Sequence, residues 1–151
     1  MKVIGIDPDC DKSGLAFYEN GVLTGLMNLN VSDYAKMLPE IKKDGYEIAI
    51  EDANMIKTTY GRNRGKLGQG TIDKNIGKVM RQCSVMIELA ESAGIKVTRY
   101  TPTKANWETR NKSKLSRAKL KATTGYGGKS NPETRSAAYF GYTHCNRSKL
   151  K

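Results

Sequence analysis

The stretch Lys2 to Asn28, KVIGIDPDCDKSGLAFYENGVLTGLMN, decides the reading of the fold. Residues 2–7 (KVIGID) place Val3, Ile4 and Ile6 in an apolar run that ends on an acid, which predicts a buried strand. A turn-rich loop follows from Pro8 to Ser13, and residues 14–18 (GLAFY) predict a second strand. Glu19-Asn20-Gly21 then supplies the Asn-Gly signal of a tight hairpin, so residues 22–28 (VLTGLMN) form the third strand.

Beyond this hairpin block the pattern changes. Ser32 is suited to cap a helix from about 33 to 44 that ends at Gly45. Residues 46–51 (YEIAIE) predict a fourth strand, again running into an acid. Residues 55–70 are rich in Gly, Lys and Arg without apolar periodicity, and predict a loop. Ile76, Val79, Met80, Cys83, Ile87 and Ala90 recur at helical spacing, which predicts a long helix from Ile72 to Ala93, capped by Thr71 and ended by Gly94. Residues 95–100 (IKVTRY) predict a fifth strand, residues 114–123 a basic helix, and Pro132 the first turn of a last helix over 132–144. Three hairpin-joined strands followed by helix, strand, helix, strand and helices imply an α/β fold: a mixed sheet flanked by helices.

The chain has 151 residues, which fits one domain over 1–151 with a substantial core. No apolar run is long enough for a membrane-spanning helix, and the N-terminus has acids too early for a signal peptide. Cys10, Cys83 and Cys145 are scattered and odd in number, so no disulfide framework is expected and a cytoplasmic location is. The formal net charge is +11, and it is unevenly spread. Residues 1–95 carry 12 Lys/Arg against 13 Asp/Glu, whereas residues 96–151 carry 14 against Glu108 and Glu133 alone. A second acid-free basic stretch, KTTYGRNRGK, spans 57–66. A polyanion is the natural partner of such surfaces. Tyr60, Tyr100, Trp107 and Tyr126, interleaved with the cations, are of the type that can stack on bases as well as pack.

Against this basic background a few acids stand out. Asp7 ends the first strand and Glu51 the fourth, so neighbouring strands would bring both carboxylates to one sheet edge. Acids that close repel unless a divalent cation neutralises them, and Mg²⁺ is commonly held by one or two carboxylates with phosphate oxygens and water. Glu133, in the first turn of the last helix, is the only acid after Glu108. Taken singly, each acid reads as a turn or cap residue. Together they point to phosphoryl-transfer chemistry on nucleic acid. Asp9, Asp11 and Asp52 are spare acids expected to face solvent, with the alternative that one of them adjusts the metal site.

The segments IGIDPDCDKSGLAF (4–17), IAIEDAN (48–54), NIGKVMRQCSVMIELAESAGI (75–95), VTRYTPTKANW (97–107) and TTGYGGKSNPETRSAAYFGY (123–142) resemble the RuvC-type Holliday-junction resolvases, in particular their small phage-encoded branch. The resemblance implies an RNase H-like fold: a five-stranded mixed sheet, its first three strands antiparallel, with helices on both faces. It also implies a homodimer that cuts four-way junctions with two Mg²⁺ ions, for which Mn²⁺ can substitute. Of the family's four acids, Asp7 matches the first, Glu51 the second and Glu133 the third, as Glu where Asp is more usual. The fourth falls on Ser136, a neutral and weak ligand. An engineered inactivating change, a natural variant compensated by another acid, and a protein that binds junctions without cutting all remain open. The resemblance further offers Lys104, Lys112, Lys114 and Lys129 as candidates to stabilise the pentacovalent phosphate, or as ordinary DNA phosphate contacts, Tyr60 as the aromatic that helps open the junction, and Arg62, Arg64 and Lys66 as residues that track the DNA backbone. A nuclease acting on other branched DNA or on RNA–DNA hybrids is the alternative. The chain carries no P-loop, GxGxxG or Cys/His metal cluster that would suggest a different enzyme class.

Overall fold

A computed structural model of the chain describes residues 1–56, 69–104, 107 and 113–147. The strands are β1 (Lys2–Asp7), β2 (Ser13–Glu19), β3 (Val22–Leu29), β4 (Tyr46–Glu51) and β5 (Val97–Tyr100). The helices are α1 (Val31–Lys43), α2 (Gln69–Ser92), α3 (Ser113–Thr124) and α4 (Pro132–Asn146), with a 3-10 turn over Ala53–Met55. The five strands form one sheet in the order β3-β2-β1-β4-β5. β1, β2 and β3 pair antiparallel, and β1, β4 and β5 pair parallel. This is the mixed α/β sheet expected from the sequence.

The hairpin between β2 and β3 turns at Asn20 and Gly21, with φ of 51° and 81°. Asn and Gly enter that left-handed region at least cost, so the Asn-Gly signal was sound. Strand alternation then splits the core into two layers. Ile4, Ile6, Leu15, Ile48 and Ile50 pack against Tyr34, Leu38 and Ile41 of α1 and Met86, Ile87 and Ala90 of α2. Val3, Ala16, Tyr18 and Ala49 pack against Leu120 of α3 and Ala137 and Ala138 of α4. Helices therefore cover both faces. Among the described residues no helix is long and apolar enough to cross a membrane.

Three element boundaries differ from expectation, each for a local reason. The N-cap of α1 is Asn30 rather than Ser32: its side chain accepts from the Asp33 N–H at 2.8 Å, so the helix begins at Val31. α2 starts at Gln69, which leaves Thr71 inside it rather than capping it. β5 is shorter than expected because Ile95 finishes α2. The Ile95 N–H donates to the Ala90 carbonyl and the Gly94 N–H to the Glu91 carbonyl, a paired closure with Gly94 at φ 74°.

Candidate active site

β1 and β4 run side by side in parallel, with Ile6 opposite Ile50. The next residues along, Asp7 and Glu51, end these strands as neighbours, both half-buried. Alternation fixes the face. Val3 and Ala49 belong to the layer under α3 and α4, so Asp7 and Glu51, at the same parity, share it.

The third acid comes from α4, and glycines bring it close. Gly14 pairs with Asp7 across β1 and β2. A Cβ on Gly14 would lie 2.3 Å from the Glu133 carbonyl carbon and oxygen, so the first turn of α4 rests on the backbone beside Asp7. Gly5, further back on β1, has the same relation to the helix: its Cβ would lie 2.0 Å from the Ala137 oxygen. α4 thus runs antiparallel to β1 along a track cleared of side chains. Its start is fixed by a capping box at Asn131 and Thr134, with Pro132 in the first turn. Its N-terminus, favourable to negative charge, arrives at the end of the sheet where Asp7 and Glu51 stand.

Glu133 is half-buried, and Ser136, one turn further along the same side of α4, is completely buried. Among the described residues no group of three or more His, Cys, Asp or Glu side chains is gathered so as to hold a metal ion. The neighbouring pair Asp7 and Glu51 nevertheless has the donor chemistry that suits Mg²⁺ or Mn²⁺, hard cations that take one or two carboxylates and fill the remaining positions with water and phosphate oxygens. Lys104, Lys114 and Lys129 are exposed, while Tyr60, Arg62, Arg64, Lys66 and Lys112 lie outside the described residues.

Several side chains take roles that differ from expectation. Asp52 does not face solvent: it is 2% exposed and caps the 3-10 turn, accepting from the Asn54 N–H at 3.0 Å. Of the aromatics read as able either to stack on bases or to pack, three pack. Trp107 is buried against Tyr139 and Tyr142, Tyr100 packs on Phe140 and His144, and Tyr126 lies against the α3–α4 layer. A bulky ring there fills the gap between sheet and helices, a demand that charge patterning does not reveal. Arg135 is buried as well, its Nε donating to the Trp107 carbonyl at 3.1 Å.

The sequence reading also missed a polar knot at the opposite end of the sheet. His144 is buried, with Nδ1 2.9 Å from the Tyr100 hydroxyl and Nε2 3.1 Å from Glu47 Oε1. The approach to Glu47 is close but lies off the line of a good hydrogen bond. Lys96 Nζ stands 2.8 Å from the other Glu47 oxygen. Burial holds the His144 ring below its ordinary pKa. Burial pushes the Glu47 carboxyl up, but the neighbouring Lys96 ammonium and the close His144 ring outweigh it and leave it below the usual range. The signal for Glu47 was readable, since it shares the parity of Ala49 and Glu51 in β4.

No family model matches the chain, and no curated protein matches it. Solved structures do. A structure of T. thermophilus RuvC in complex with Holliday junction substrate superposes with a TM-score of 0.61 at 16% identity, over 99% of this chain and 96% of that one. A second Thermus thermophilus RuvC structure gives 0.55 at the same identity and coverage. At this identity the likeness is one of fold, and with the strand order and two-faced helix packing described above it identifies the chain as having the RuvC-type, RNase H-like fold.

Proposed function

We propose that the chain is a structure-specific DNA endonuclease that resolves four-way junctions by divalent-metal-dependent phosphodiester hydrolysis, as a homodimer with one nuclease domain over residues 1–151. The observation that carries this reading is the register of Asp7 beside Glu51 with the first turn of α4 resting on Gly14. Two acids end neighbouring strands, and the helix turn that carries the third rests beside them, in a fold shared with a RuvC structure solved on Holliday junction substrate.

In this reading Asp7 and Glu51 hold the metal, with Glu133 contributing from α4, and two Mg²⁺ ions are expected. Bound there, the ions would activate water and stabilise the departing oxygen. The chain supplies the rest. The two strand ends fix the spacing of the carboxylates, and the N-terminus of α4 lowers the cost of gathering three negative charges. Lys104, Lys112, Lys114 and Lys129, with Arg62, Arg64 and Lys66, contact the phosphate backbone, and Tyr60 helps open the junction.

A four-way junction built from oligonucleotides, incubated with Mg²⁺ or Mn²⁺, tests the reading. Paired nicks in opposing strands are expected from the unmodified chain, and none from Asp7→Asn, with junction binding retained in both. Cutting that survives Asp7→Asn, or RNA–DNA hybrids and flaps cut faster than junctions at equal salt, would overturn it.

A second reading, a junction-binding protein that does not cut, is favoured by one observation. Ser136 occupies the position of the family's fourth acid and is sealed from solvent. Binding without nicks in either metal selects this reading, and nicking restored by Ser136→Asp would locate the cause.

A further inference from the structure

The chain leaving Glu51 is held from two sides by residues that the acids above do not explain. The Glu51 carbonyl accepts from the Cys83 thiol of α2 at 3.5 Å, while the next N–H, that of Asp52, donates to the Tyr100 carbonyl of β5 at 2.9 Å. Asp52 Oδ1 accepts both from the Asn54 N–H at 3.0 Å and from the Asn54 side-chain amide at 2.8 Å. That same amide donates to the Met80 carbonyl at 3.0 Å and reaches Ser84 Oγ at 3.3 Å, one turn along α2. Arg99 of β5 stands 3.9 Å from the other Asp52 oxygen.

We infer that Asp52, Asn54 and Cys83 form a clasp that positions Glu51, and that the acid following Glu51 serves to hold the metal-binding end in place rather than to bind metal. This rests on the proposed reading of Glu51 as a metal ligand. The physical case is one of freedom removed. Glu51 ends its strand, where ladder hydrogen bonds stop on one side and backbone fraying would otherwise begin. The clasp replaces the missing ladder with bonds to two different elements, so the peptide after Glu51 is fixed and only side-chain rotation is left to settle. Asn54 is the hinge of the device because its amide serves Asp52 and α2 at once. A carboxylate in its place would set negative charge against Asp52 and the Met80 carbonyl.

Mn²⁺ titration of the full chain without DNA, followed by the electron paramagnetic resonance signal of free Mn²⁺, tests the inference without any cleavage. Residues that orient metal ligands typically change metal affinity about 10- to 100-fold when removed. Asn54→Asp and Asp52→Ala are expected to weaken Mn²⁺ binding by about that much. Asp52→Asn, which keeps the Oδ1 acceptor, should stay close to the unmodified chain. Amide exchange at Asp52 should quicken in the first two variants and not in the third. Should Asn54→Asp fail to fold, Asn54→Ala and Ser84→Ala carry the same expectation in weaker form. If Glu51→Gln weakens Mn²⁺ binding while the Asn54 and Asp52→Ala variants leave it unchanged, the clasp is purely structural and the inference is overturned. If Glu51→Gln itself leaves Mn²⁺ binding unchanged, the reading of Glu51 as a ligand falls, and the clasp's role toward metal with it.

Discussion

β4 carries two glutamates on one face, Glu47 near its start and Glu51 at its end, and the two ends of the sheet treat them differently. Around Glu47 the protein supplies its own counter-charge. Lys96 reaches one carboxylate oxygen, the buried His144 approaches the other, and Tyr100 ties the far side of the imidazole. That arrangement pins the last turn of α4 to the sheet. Around Glu51 element ends converge: Asp7 ends the adjacent strand, and the first turn of α4, which carries Glu133, rests on Gly14. On the proposed reading of Glu51 as a metal ligand, position on a strand does not separate a structural acid from a chemical one. What the neighbouring elements deliver to it does.

The sharpest way to break this comparison is to neutralise each glutamate in turn. Glu51→Gln should lower junction cleavage by on the order of a hundredfold or more, the scale of losing one charge-stabilising group in an active site, with little change in melting. Glu47→Gln should leave cleavage near normal and cost about 1.5–3 kcal/mol in urea unfolding, the scale of a hydrogen bond to a charged group. If Glu47→Gln abolished cleavage as fully as Glu51→Gln, the two ends would not be distinct.

The glycine track gives the next largest effect. A Cβ at Gly5 would meet the Ala137 oxygen at 2.0 Å and the Gly141 nitrogen at 2.6 Å. Gly5→Ala should therefore cost about 1–3 kcal/mol or more, because backbone must move to admit it. Gly14→Ala should cost a comparable amount and, unlike Gly5→Ala, should cut activity beyond its loss of stability, since it lifts the helix turn that carries Glu133. Denaturant melts beside cleavage rates separate the two. Smaller again, Asn131→Ala removes the cap of α4, and thermal melts should show about 1 kcal/mol of destabilisation.

The smallest expected effect is on pH dependence at the Glu47 end. Burial lowers the folded-state pKa of His144. An unfolded histidine takes up its proton near pH about 6.5, while the folded one resists. Stability should thus be fully present above that value and decline as pH falls toward the folded pKa. Melts between about pH 7 and 5.5, above the range where ordinary carboxylates titrate, should show this decline in the unmodified chain and a flatter profile in His144→Gln. Equal slopes would remove His144 from the account.

Much of this was legible in the sequence. The strands announced themselves by apolar runs, and the Asn20-Gly21 turn by its residue pair. Both acids at strand ends were visible because β1 and β4 each stop on a carboxylate after an apolar stretch. What sequence alone could not supply was partnership. Asp52 looks like one more loop acid, although Asp-x-Asn after a strand is a recognisable signature of a side chain that bonds its own backbone. Trp107, Tyr100 and Tyr126 sit among lysines and arginines in the chain, yet they pack under α4, because proximity in sequence to charge says nothing about which face a ring occupies. Arg135, next to Ser136, is buried by the fold and donates to the Trp107 carbonyl, a partner 28 residues away that local sequence does not reveal.

The central claim is that Asp7 and Glu51 together form the seat of a divalent cation at the end of the sheet that α4 caps with Glu133. Crystals grown or soaked with Mn²⁺ and measured at its absorption edge test this most directly. An anomalous peak within coordination distance of both carboxylates, lost in Asp7→Asn, is the predicted result. An unoccupied end of the sheet, with Mn²⁺ bound only elsewhere or not at all, would contradict the account.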